Sequence, residues 1–64
     1  MTPDLDIYRA ANLLIARHGG EALIEAARMI DRMLDLGDPE GWQVWKRIQH
    51  AIEALQAGPS GATH

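Results

Sequence analysis

Apolar residues recur along this chain at helical spacing, in three stretches set apart by breakers. In the first stretch Ile7, Ala11, Leu14, Ile15 and His18 share one face at 3.6 residues per turn, flanked by Tyr8 and Ala10, with Asp6, Arg9 and Asn12 elsewhere. In the second, Ala22, Leu23, Ala26, Met29, Ile30, Met33 and Leu34 oppose Glu21, Glu25, Arg28, Asp31, Arg32 and Asp35, the division a half-buried helix needs. In the third, Val44, Ile48, Ala51, Ile52 and Leu55 form the stripe, with Trp45 at its edge.

The breakers predict where these helices begin and end. Thr2 can cap the first, with Pro3 at the first helical position and Asp4 complementing the helix dipole. Gly19-Gly20 predicts its stop and Gly37 that of the second helix. Asp38-Pro39-Glu40 repeats the opening logic of cap, proline and first-turn acid, and Gly58-Pro59 predicts an end at Gln56 or Ala57. The expected fold is all-α, a small three-helix bundle with helices at about 3–18, 21–36 and 39–57. Residues 1–57 form one domain in this reading, and 58–64, rich in breakers and small residues, a flexible tail. The alternative is a long helical hairpin that dimerises, which requires Gly37 to be a weaker break than it looks.

Composition sharpens this picture. There is no Phe, Val44 is the only valine, and threonine occurs only at positions 2 and 63, so residues that favour strands are scarce. A chain of 64 residues builds a marginal core, and below about 70–80 residues one core rarely supplies more than about 3–5 kcal/mol without a staple. With no cysteine, disulfides are excluded, and His18, His50 and His64 lack zinc-ligand spacing. Tight packing or self-association remains, and a homodimer is expected. Leu5, Leu13, Ile24 and Leu36 fall off the main stripes and suggest a second apolar surface. The acidic start and the short apolar runs predict neither a signal peptide nor a membrane span, hence a soluble cytoplasmic protein.

Net charge is −3 and uneven: residues 1–41 hold eight acids against four arginines (−4), and residues 42–64 hold Lys46 and Arg47 against Glu53 (+1). This weighs against a dedicated nucleic-acid or membrane binder.

Candidate chemistry is sparse. His18 and Glu25 could be imagined as an acid–base pair, but such work needs a pocket that holds and tunes both groups. His18 is better read as a cation placed at a helix C-terminus. Asp31 and Asp35 resemble a carboxylate pair, yet Arg28 and Arg32 sit three residues before them and predict ordinary ion pairs. The only serine is Ser60, and no glycine-rich phosphate loop follows a strand. No catalytic residue, metal site or cofactor is therefore expected, and the chain is read as not an enzyme.

The third helix is more informative. Trp42 points off its stripe, beside Gln43, Lys46, Gln49 and Glu53, with Arg47 and His50 further round. Tryptophan is enriched at binding hot spots, which makes Trp42, Gln43, Lys46, Arg47 and His50 a candidate partner-binding set. The plainer reading has Trp42 folding back as a lid on the end of the second helix or the Leu36-Gly37 corner.

The runs from Asp6 to Ile15, His18-Gly19, Gly37-Asp38 and Val44-Trp45-Lys46-Arg47-Ile48 resemble a family of short bacterial proteins, a domain of unknown function marked by Asp-x-Tyr-Arg-Ala-Ala and Val-Trp-x-Arg-Ile. The resemblance covers residues 4–56 and singles out Tyr8, Arg9, His18, Trp45 and Arg47. It implies no activity, ligand or catalytic residue. The expected function is a cytoplasmic protein–protein interaction module that binds itself or another protein through helix three. The runner-up is a helix-turn-helix DNA-binding regulator, with Gln43, Lys46, Arg47 and His50 reading the groove.

Overall fold

A computed structural model describes the backbone of residues 3–62 and the side chains of residues 3–57. The fold is all-α, with no strand among the described residues: α1 spans Asp4–His18, a 3-10 turn spans Gly19–Glu21, α2 spans Ala22–Leu36 and α3 spans Pro39–Ala62. Three separate helices were expected, but α1 and α2 have no loop between them. The 3-10 turn makes them one helical run from Asp4 to Leu36, bent at Gly19 (φ 56°, ψ −124°). The side chain of Gln56 on α3 holds this bend, its Nε2 donating to the Gly19 carbonyl at 2.8 Å.

The ends differ from expectation in physical detail. Pro3 is extended (φ −61°, ψ 150°) and acts as the N-cap of α1 rather than its first helical residue, its carbonyl accepting the Ile7 N–H at 3.2 Å. The cap expected of Thr2 lies outside the described residues. At its other end α3 continues through Gly58-Pro59 to Ala62 instead of stopping at Gln56 or Ala57. Proline's fixed φ is compatible with a helical path, although Pro59 cannot donate the bond that the Leu55 carbonyl would otherwise accept. The side chains of the expected tail, and residues 63 and 64 altogether, lie outside the described residues.

The α2–α3 junction follows the sequence closely. Gly37 takes the left-handed conformation (φ 67°, ψ 38°), its N–H donating to the Leu34 carbonyl at 3.1 Å, while the Asp38 N–H donates to the Met33 carbonyl at 2.9 Å. This crossed pair is a Schellman stop. The Asp38 carboxylate then caps α3, accepting the Gly41 N–H at 2.9 Å. Removing it by Asp38→Ala is expected to cost about 0.5–2 kcal/mol, read as a lower urea midpoint with an unchanged slope.

The core is small and built mainly from short side chains. Ile7, Ala11, Ala22, Ala26, Ile48, Ala51 and Ile52 form one buried cluster, supported by half-buried Ala10, Leu14, Ile15, Leu23, Val44 and Trp45. Four alanines let the helices approach closely, and Ile52 is the only large side chain fully enclosed among the described residues. Two residues placed on the stripes by periodicity are exposed instead, Leu34 and Leu55. His18, also placed on the inner face of α1, is exposed as well.

Contacts along α3 fix how the other segments lie. Asp4, the first residue of α1, pairs with Arg47, and the bend at Gly19 meets Gln56. The end of α2 lies against the start of α3, where a Cβ on Gly41 would sit 2.5 Å from the Met33 sulfur and 2.7 Å from Asp38 Oδ2. A larger residue there would require the Met33 and Asp38 side chains to shift. Among the described residues, α1 therefore begins level with the third turn of α3.

Candidate interaction surface

The α2–α3 corner is where the fold leaves apolar surface beside a tryptophan. Trp42 is half-buried and lines a shallow groove with Met33, Leu34, Gly37, Asp38 and Pro39. Leu34 and Leu36, at the end of α2, are 62% and 65% exposed. The ring thus packs back on the end of α2, as a lid would, and still contributes to an open apolar face. Lys46 stands one turn further along α3 with its Nζ 5.7 Å from the centre of the Trp42 ring, a cation–π contact.

The five candidate residues of α3 do not form one patch. Trp42 turns toward α2, whereas Arg47 turns toward α1 and pairs with the Asp4 carboxylate. His50 is exposed and lines a cleft with Asp4, Ile7, Tyr8, Arg47 and Ala51. Gln43 is exposed beside Val44, and Lys46 is half-buried. The sequence offered the end of the second helix as one place for Trp42 to pack, without singling out Met33, Leu34 or Pro39. A signal existed, since these residues flank a predicted stop and cap that bring two helix ends together.

Charge is uneven along the chain. Residues 33–45 contain Asp35, Asp38 and Glu40 and no Lys or Arg, so they carry −3, the net charge of the whole chain; the other residues hold six acids and six bases. Of the six other acids, three are ion-paired, Asp4 with Arg47, Asp6 with Arg9 at 4.0 Å and Glu25 with Arg28 at 3.5 Å, while Glu21, Asp31 and Glu53 have no ion pair among the described residues. Among the described residues Asp35, Asp38 and Glu40 likewise have no ion pair within 4.0 Å, and of the three only Asp38 lines the groove.

The polar residues considered for chemistry stay apart. His18 is exposed and makes no bond to Glu25 among the described residues. Arg28 pairs backward with Glu25 rather than forward with Asp31, and Asp31 and Asp35 lie on an open polar face with Arg32. That corrects the expected partner of Arg28; an i,i+3 pair can form in either direction, and this exposed one contributes little. No group of three or more His, Asp or Glu side chains among the described residues is placed to hold a metal ion. No helix among them is long and apolar enough to cross a membrane.

Comparison with family models, with curated proteins and with solved structures found no match, so the reading of this surface rests on the chain's own residues.

Proposed function

We propose that this chain is a non-enzymatic interaction module, a cytoplasmic all-α domain without a cofactor that docks a protein partner at the α2–α3 corner around Trp42. The observation that carries this reading is the exposure of Leu34 in an apolar groove beside the half-buried Trp42. Large apolar side chains grouped around a tryptophan, with polar Gln43 and Lys46 nearby, have the composition of an interface core and its rim. Of the five residues first considered, Trp42 is the anchor and Lys46 its flanking contact, Gln43 and His50 lie outside the groove, and Arg47 serves the fold through Asp4.

A second copy is the partner closest to hand. Leu5, Leu13, Ile24 and Leu55 are also exposed, and the buried cluster is small, so a C2 homodimer would cover apolar surface that the monomer leaves in water. Sedimentation at tens of micromolar checks this, with a dimer expected; a monomer of high melting temperature would contradict it.

Charge disfavours the DNA-binding reading. A recognition helix presents its N-terminal residues to the groove, and here that end carries Asp38 and Glu40, with Asp35 close by in sequence. Phosphate contacts dominate DNA affinity, and of the two cations on α3, Arg47 is paired with Asp4 and Lys46 lies over Trp42.

Two measurements test the proposal. Partner capture by the wild-type chain is expected to be lost with Trp42→Ala while helicity is retained. Titration onto mixed-sequence duplex at low and moderate salt is expected to show no salt-sensitive binding. Salt-sensitive binding that disappears on substituting Lys46 and Arg47 would instead establish the regulator.

A further inference from the structure

The joint between α1 and α2 points to the way two copies pair: we infer that the helical run straightens at Gly19 and that α1 of each copy takes its place on the α2–α3 pair of the other. This exchange rests on the homodimer reading above and supplies its interface. It leaves the corner intact, since Met33, Leu34 and Trp42 all belong to α2 and α3.

The joint has no slack. α1 ends at His18, the 3-10 turn covers Gly19–Glu21, and α2 starts at Ala22. Backbone angles on either side are already close to helical, at His18 (φ −116°, ψ −11°) and Glu21 (φ −95°, ψ 6°), and Gly19 alone has a positive φ there (56°). Short, constrained joints are the ones that invite exchange between copies, because extending the chain relieves them. With Gly19 in helical geometry, the 15, 3 and 15 residues of α1, the turn and α2 become one helix about 50 Å long.

The hold of α1 on its own chain is slight. It places two buried side chains in the core, Ile7 and Ala11. Its start is tied by the exposed Asp4–Arg47 pair and its end by the exposed Gln56–Gly19 bond. The core contacts and the ion pair are remade unchanged on a second copy, so the fit between copies needs no new surface. Only the Gln56 bond is given up, when the Gly19 carbonyl joins the helix. α1 runs parallel to α3, with Asp4 beside Arg47 and Gly19 beside Gln56, whereas α2 runs antiparallel to it. In the exchanged pair the two long helices therefore lie antiparallel, and one corner stands at each end, a bivalent surface for a partner.

The test mixes isotope-labelled and unlabelled full chain at a concentration where the dimer forms. Filtered NOEs are expected between Ile7 of one chain and Ala51 of another, residues that line one cleft within a single copy. Gly19→Ala strains the bend and suits a helix, and is expected to tighten the dimer at least about tenfold. D-alanine at position 19 suits the bend and opposes a right-handed helix, so it should weaken the dimer. Gly20→Ala meets nothing within 4 Å and requires no positive φ, so it keeps the fold and should tighten the dimer by less. A dimer whose Ile7–Ala51 NOEs all lie within one chain would overturn the exchange and leave pairing through exposed surface standing. Equal dimer affinity with L- and D-alanine at position 19 would also overturn it. If Gly19→Ala is too unstable to purify, the wild-type NOEs and Gly20→Ala decide the matter. A monomer at millimolar concentration for both of these chains would remove the exchange and the homodimer reading together, with docking at the corner unaffected.

Discussion

Ile52→Ala is expected to leave the chain largely unfolded at room temperature. Ile52 is fully buried, and it packs in a cluster whose other members are two isoleucines and four alanines. Alanines cannot swing into a void, so the cavity left behind would stay open. Truncating a buried isoleucine to alanine costs about 2–5 kcal/mol. The entire stability of an unstapled domain this small is about 3–5 kcal/mol. The expected urea melt has no native baseline, whereas Ile52→Val, at about 0.5–1.5 kcal/mol, keeps a cooperative transition at a lower midpoint. A midpoint for Ile52→Ala close to that of the parent would mean that the chain is not held together around Ile52.

Gly19→Ala should produce the largest loss outside the core. At φ 56° and ψ −124° Gly19 occupies a region that an L-residue enters only under strain, of about 1–3 kcal/mol. A Cβ there would meet nothing within 4 Å, so the cost comes from the backbone and not from crowding. This makes chirality a clean control. For D-alanine the mirrored angles lie in an ordinary extended region, and a synthetic chain with D-alanine at position 19 should be as stable as the parent or gain about 0.4–1 kcal/mol by restricting the unfolded state. Equal destabilisation by both enantiomers would point to lost contacts and remove the bend at Gly19 from the account.

Much of the fold is legible in the sequence because the helical period and the breakers act locally. Ala22, Ala26 and Ile30 on α2, and Ile48, Ala51 and Ile52 on α3, are buried where their spacing places them. Asp38-Pro39 and Gly37 perform the cap and stop that their chemistry implies. Periodicity cannot tell how far a neighbouring segment reaches. Leu34 lies on the inner stripe of α2 by spacing, yet α1 begins beside Arg47 and leaves that end of α2 uncovered. Gly19-Gly20 reads as a loop for a similar reason. Glycine signals a change of direction, but the hydrogen bond from Gln56, 37 residues away, is what holds a tight bend there. The candidate site was legible in one residue, Trp42. Its neighbour Pro39 lies one turn earlier on α3, and Met33 and Leu34 join it where the Gly37 stop and the Asp38 cap bring two helix ends together.

The claim that the corner is the docking face is tested most directly by placing a photo-crosslinking phenylalanine analogue at single exposed positions and irradiating cells that express the chain. Positions 34, 13 and 53 sample the corner, α1 and the outer side of α3, and all three native residues are exposed, so the fold tolerates the change. One dominant adduct is predicted from position 34, competed away by Trp42→Ala on unlabelled chain more weakly than by the wild type. Its mass will identify either a second 7.1 kDa copy or another protein. A dominant adduct from position 13 or 53, with none from position 34, would contradict the account.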